Sequence, residues 1–173
     1  MMETDRILLR PWYEEDADTL FLYASNPVIG NRAGWPPQKS PDESLEIIRT
    51  VFHNDTTWAI ENKENHRPIG CIGYMPTFDL KLPTQEGDVL IGYWIGQPYW
   101  NQGFCTEALR LMIEYIKTTT HIPSLISSHY IDNPASGRVM EKCGFIDIGQ
   151  TIIENNNQQQ GKMVRVLRLE LRR

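Results

Sequence analysis

The chain is 173 residues long with Lys+Arg 17 against Asp+Glu 22, a formal net charge of −5. That length predicts one domain, residues 1–173, with a core large enough to need no metal or disulfide staple, and the acidic balance disfavours a nucleic-acid partner. Cys71, Cys105 and Cys143, odd in number and without a C-x-x-C pair, predict reduced thiols in a cytoplasmic protein and no zinc site. The polar start Met1 to Asp5, and the lack of any run of about eighteen apolar residues, predict neither secretion nor a membrane span.

Arg6 to Arg10 reads as a short strand closed by Pro11, and Ala17, Leu20, Phe21 and Ala24 then recur at helical spacing. Asn26 to Lys39 is rich in Pro, Gly and Asn and reads as a loop. Ser40-Pro41-Asp42-Glu43 supplies an N-cap serine, a proline at the first helical position and a capping-box glutamate, and Leu45, Ile48, Val51 and Phe52 give that helix its apolar face. Its end is expected near His53 or Asn54.

Thr57 to Ile60 and Ile69 to Met75 bracket the polar turn Asn62 to Arg67, so a hairpin is expected, with Asp88 to Ile95 as the next strand. Between them, Pro76 to Gly87 reads as a loop. Pro98 stops the strand, and Leu109, Met112, Ile113 and Ile116 then mark one face of an amphipathic helix. Ser124 to Ile131 follows as a strand, and Asn133-Pro134 opens a further helix ended by Gly144. Phe145 to Glu154 and Met163 to Leu171 predict a closing hairpin around the polyamide tract Asn155 to Gln160.

The segment carrying most chemical information is Tyr99 to Leu109, which joins strand to helix through Asn101-Gln102-Gly103. A helix start offers first-turn N–H groups and the positive end of the dipole, and a glycine there lets an anion approach the backbone. Asn101, Gln102, Gly103, Phe104, Cys105 and Thr106 are therefore candidates for gripping a pyrophosphate through the main chain. Taken alone, the same segment is equally an ordinary strand-to-helix connection. The scattered His53, His66, His121 and His129 fit no hydrolase or metal pattern.

The element order β-α-α-β-β-β-α-β-α-β-β, the glycine turn and Asn133-Pro134-Ala135-Ser136 together resemble the GNAT superfamily of acyl-CoA-dependent N-acetyltransferases. Arg6 to Trp12 with Asp16-Ala17, Tyr99 to Ala108, and Asn133 to Phe145 further resemble the RimJ/RimL-type branch, which acetylates protein N-termini and other amines. The resemblance implies an α/β (α+β) fold: a mixed, mostly antiparallel central sheet of about seven strands flanked by four helices, with a splayed strand pair at the acyl-CoA site. It implies acetyl-CoA as cosubstrate, no metal, and a primary amine acceptor, either a protein N-terminus or a small molecule.

In that family the turn reads Arg/Gln-x-x-Gly-x-Gly/Ala, and here Trp100, Gly103 and Cys105 hold the marked positions, so only the central glycine matches strictly. Met140 stands where many members carry a tyrosine general acid, which leaves Ser136 as the positional candidate for protonating the leaving thiolate. Ser136 is equally a third-position helix serine bonding its own turn. The resemblance also implies unpaired backbone around Ile95, near the Gly96 to Pro98 break, that bonds the pantetheine arm and the thioester oxygen with a main-chain N–H as oxyanion donor, and a cofactor contact from Asn133, itself a preferred N-cap.

Glu86 or Asp88 is the candidate base at the head of the strand, the alternative being solvated surface acids. Trp35 lines an acceptor pocket or covers the core. The implied reaction is direct attack of the amine in a ternary complex, with an acyl-CoA-binding protein lacking turnover as the other reading. Acceptor identity and oligomeric state stay open, a homodimer being one option.

Overall fold

In the computed structural model, which describes residues 2–77, 82–153 and 161–171, two helix starts carry a side-chain cap followed by proline. The polyamide tract Asn155 to Gln160, part of the expected loop over 76–87, and Arg172-Arg173 lie outside the described residues. The strands are β1 (Met2–Glu3), β2 (Ile7–Arg10), β3 (Thr57–Asn62), β4 (Arg67–Pro76), β5 (Asp88–Ile95), β6 (Ser124–Tyr130), β7 (Ile146–Ile153) and β8 (Lys162–Glu170). The helices are α1 (Ala17–Ala24), α2 (Pro27–Ala33), α3 (Pro41–Thr50), α4 (Phe104–Thr119) and α5 (Pro134–Lys142).

The expected start of α3 is present: the Ser40 side chain accepts from the Glu43 N–H at 3.1 Å, and Glu43 in turn accepts from the Lys39 N–H. The helix stops at Thr50, before the expected His53, with Val51 as its cap. The segment read as a loop over 26–39 contains α2. Asn26 caps it through a bond from the Val28 N–H at 2.9 Å, Pro27 takes the first position, and Gly34 ends it in the left-handed region at φ 86°. Among the described residues five helices therefore replace the four expected, and the two-residue β1 raises the strands from about seven to eight.

The strands form one mostly antiparallel sheet in the order β1-β2-β3-β4-β5-β6-β8-β7. β3 and β4 make the expected hairpin, and β7 and β8 pair antiparallel from Ile146↔Arg168 to Ile153↔Lys162. β5 and β6 pair in parallel through Asp88↔Ser124, Val89↔Leu125 and Leu90↔Ile126. That register ends there among the described residues, while β5 continues to Ile95 and β6 to Tyr130.

The chain packs as two units, residues 1–73 with 93–111, and residues 74–92 with 112–173. The first buries Trp12, Leu20, Ala24, Ile48, Ala59 and Cys71, with Trp35 and Trp94 partly buried against them. Trp35 thus covers this core, and its ring meets that of Trp94 edge-on at 6.1 Å. In the same unit Arg10 forms a buried two-pronged bond to Asp16 at 2.7 and 3.0 Å and a further bond to Glu61, which satisfies three charges that would be costly to bury singly. The second unit packs Ile126, Tyr130, Val164 and Val166 together with Leu90 and Ile153.

Candidate active site

Between β5 and α4 the chain makes one 3-10 turn at Gln97–Tyr99 and then two left-handed residues, Asn101 at φ 60° and Gly103 at φ 84°. Asparagine and glycine are the residue types that tolerate this conformation best. Asn101, Gln102 and Gly103 are exposed, whereas Phe104 is buried and Cys105 and Thr106 are half-buried. The Gly103 carbonyl accepts the Glu107 N–H at 3.0 Å, so helical bonding begins at the glycine, and the positive end of α4 lies at the exposed turn.

A Cβ built on Gly103 would have the tip of Arg6, 3.5 Å away, as its nearest neighbour outside adjoining residues, so no packed core fills the approach to this backbone. The turn is also braced internally. The Gln102 side-chain amide donates to the Pro98 carbonyl at 2.8 Å, and Arg6 donates to the Gln102 carbonyl at 3.0 Å. Arg32 stacks over the Trp100 ring at 4.3 Å. This open, positively polarised main-chain turn suits a diphosphate group.

At the end of β5 two backbone groups are engaged. Its carbonyl accepts the Trp100 indole N–H at 2.7 Å, and the next N–H, that of Gly96, donates to Ile69 at 2.7 Å. The Ile95 carbonyl is engaged because Trp100 folds back over the strand end, and the Gly96 N–H by its bond to Ile69. An oxyanion donor there has to be a different N–H.

In the second unit, Asn133 begins α5 with its own N–H bonded to Tyr130 at 2.8 Å, and its side chain makes no capping bond. Of the two competing roles, the cap is thus not taken. Ser136 is the third residue of α5, half-buried, with its N–H donating to the Asn133 carbonyl at 3.3 Å. Met140 is fully buried, and His129 is buried with Nδ1 2.8 Å from the Tyr130 carbonyl oxygen.

The acids at the head of β5 require a correction. Asp88 is not a solvated acid and is badly suited to act as a base. Its carboxylate receives Ser124 Oγ at 2.5 Å, the Gln85 N–H at 2.7 Å and Arg168 Nη2 at 2.6 Å, with its side chain fully inaccessible to solvent. Burial pushes its pKa up, but the bonds from Arg168, Ser124 and Gln85 outweigh that and hold it below the ordinary aspartate value.

Position argues the same way. Asp88 pairs with Ser124 at the start of β6, whereas Asn133 and Ser136 follow its other end at Tyr130, roughly 20 Å along the strand. Glu86, two residues before Asp88, is exposed in a turn at that same distant end. Neither acid meets Ser136 at one reacting centre.

Arg6 and Arg32 are contributors to the turn that the sequence reading did not include. The only signal was the Arg6 cation at the head of the first strand, within the Arg6 to Trp12 motif. Among the described residues no cluster of three His, Cys, Asp or Glu could hold a metal ion, and no helix is long and apolar enough to cross a membrane.

A family model described as "Acetyltransferase (GNAT) domain" matches residues 6–146. An uncharacterized N-acetyltransferase, YoaA of Bacillus subtilis (strain 168), is 27% identical over 150 residues, spanning 84% of this chain and 82% of that protein. The crystal structure of a GNAT-family acetyltransferase from Bacillus anthracis superposes with a TM-score of 0.84 over 98% of both chains at 17% identity. Spermidine N-acetyltransferase from Vibrio cholerae, in complex with CoA and spermine, gives 0.79 over 97% of both at 16% identity. With an exposed glycine turn at the start of α4 and a family match over most of its length, the chain belongs to the GNAT acetyltransferase family and is an acetyl-CoA-dependent acyltransferase.

Proposed function

We propose that this enzyme belongs to the RimJ/RimL-like branch and acetylates a primary amine, with a protein or peptide α-amino group favoured over a lysine or polyamine, in the cytoplasm and as one catalytic module. The observation carrying the acyl-CoA part is the exposed left-handed turn Asn101–Gly103 at the start of α4. The observation carrying the acceptor part is the engagement of Asp88 and the remoteness of Glu86, which leave neither expected base placed to deprotonate a strongly basic amine. An α-amine, with a pKa of about 7.7–8.0, is partly neutral at neutral pH, whereas a lysine amine at about 10.4 is not.

In this reading the main chain of Gln102 to Thr106 holds the diphosphate, and the Asn133 side chain bonds the pantetheine arm. Bound acetyl-CoA supplies an activated acyl carbon for direct attack by the amine in a ternary complex. Ser136 donates its hydroxyl proton toward the departing sulfur, and a main-chain N–H other than that of Gly96 stabilises negative charge on the acyl oxygen.

The test is release of free thiol from acetyl-CoA across a panel of amines, followed as a function of pH. Peptides with free N-termini should outperform N-blocked lysine peptides and spermidine, and kcat/KM should rise along the titration of the amine itself. Strong turnover of spermidine or lysine at pH 7 would refute the acceptor assignment. CoA binding without thiol release from any amine would leave a binding protein.

A further inference from the structure

We infer that Arg6, which precedes β2, is a positioning residue for the phosphate turn and acts by neutralising Glu107 and orienting Gln102. This rests on the reading of Asn101 to Thr106 as the diphosphate grip. The family turn pattern begins with Arg or Gln, and this chain has Trp100 there, so the turn carries no cation of its own between Trp100 and Thr106. The structure brings one in from nearly a hundred residues upstream.

The Arg6 guanidinium makes three kinds of contact. Nη1 donates to the Gln102 carbonyl at 3.0 Å, Nε donates to Glu107 Oε2 at 2.8 Å with Nη2 closing on the same oxygen, and the group lies 4.5 Å over the Phe104 ring. Its backbone is anchored, since its carbonyl accepts the Lys63 N–H at 2.9 Å. The remaining Glu107 oxygen, Oε1, is taken by the Thr4 hydroxyl.

Glu107 is the fourth residue of α4, and its side chain is mostly covered, at 20% exposure. A carboxylate in a first helical turn suits the helix dipole, but it repels any other anion bound at the same turn. Two unit charges some 8 Å apart near a protein surface interact strongly enough to change an affinity by about tenfold after solvent screening. Arg6 therefore lets one helix start keep a stabilising acid and still accept a diphosphate.

The experiment compares wild type with Arg6→Ala, Arg6→Gln, Glu107→Gln and Arg6→Ala/Glu107→Gln, measuring CoA affinity by calorimetry, steady-state kinetics and thermal unfolding. Arg6→Ala and Arg6→Gln should weaken CoA binding and raise KM for acetyl-CoA by about tenfold, with kcat within about twofold of wild type. Adding Glu107→Gln should restore affinity by about threefold or more while leaving the protein no more stable, a sign that mere loss of a structural pair would not produce. Wild-type affinity in a folded Arg6→Gln protein, or a double variant that binds more weakly than Arg6→Ala, would overturn the inference. Failure of wild type to bind CoA at all would instead remove the phosphate-turn reading, and this inference with it.

Discussion

Replacing Asp88 by Asn separates a structural acid from a catalytic one. The substitution keeps the shape of the side chain but removes the charge that faces Arg168, at a site with an inaccessible carboxylate and an Arg168 side chain only 11% exposed. Removing one partner of a buried ion pair costs about 3–5 kcal/mol, and the amide still offers one acceptor to Arg168 or Gln85, so about 2–4 kcal/mol is expected. For a chain of this size that is a fall in Tm of roughly 8 °C.

The same pair makes stability depend on acid. The folded-state pKa of Asp88 lies below its unfolded value, so its contribution is complete above the ordinary aspartate pKa and is lost as pH falls from there through the depressed folded value. Urea titrations at pH 7 and at about pH 3.5 should show the wild-type advantage over Asp88→Asn shrinking at the lower pH. If Asp88→Asn keeps wild-type stability at pH 7 while kcat/KM drops a hundredfold, the carboxylate is doing chemistry, and the structural assignment is wrong.

Gly103→Val forces a β-branched residue into φ 84°, a region costing such residues about 1–2 kcal/mol or more, and should abolish CoA binding by calorimetry while the protein stays folded. Asn133→Ala removes a side chain that caps nothing, so unfolding in urea should change by no more than about 0.5 kcal/mol rather than the usual cap loss of about 1, while KM for acetyl-CoA rises. Cys71 has its thiol pKa pushed to about 12 by burial, so mass spectrometry after iodoacetamide at pH 8 should find it unmodified in native protein and modified in urea.

Elements with strong local signals were legible in the sequence: the Ser40-Pro41 start of α3, the amphipathic face of α4, and Gly144, left-handed at φ 90°, after α5. Helix α2 was hidden by composition, since Asn26, Pro27 and Gly34 serve equally as loop residues until the cap bond to Val28 is seen. The glycine turn could be placed because its geometry is local. Its brace from Arg6 could not, because the partners Arg6 and Glu107 stand 101 positions apart. Asp88 misled for the same reason, its environment being decided by Arg168, 80 positions on.

The alternation of the chain between its two packed units bears on how it is made. Residues 1–73 do not complete their unit until 93–111 have been added. At a translation rate of roughly 5–20 residues per second, the first segment waits about 2–8 s for the return of that stretch, with Trp12 and Ile48 short of their Trp94 neighbour. Nascent chains ending shortly before Tyr93 should therefore be the ones that chaperones retain, and those extended past Leu111 should be released.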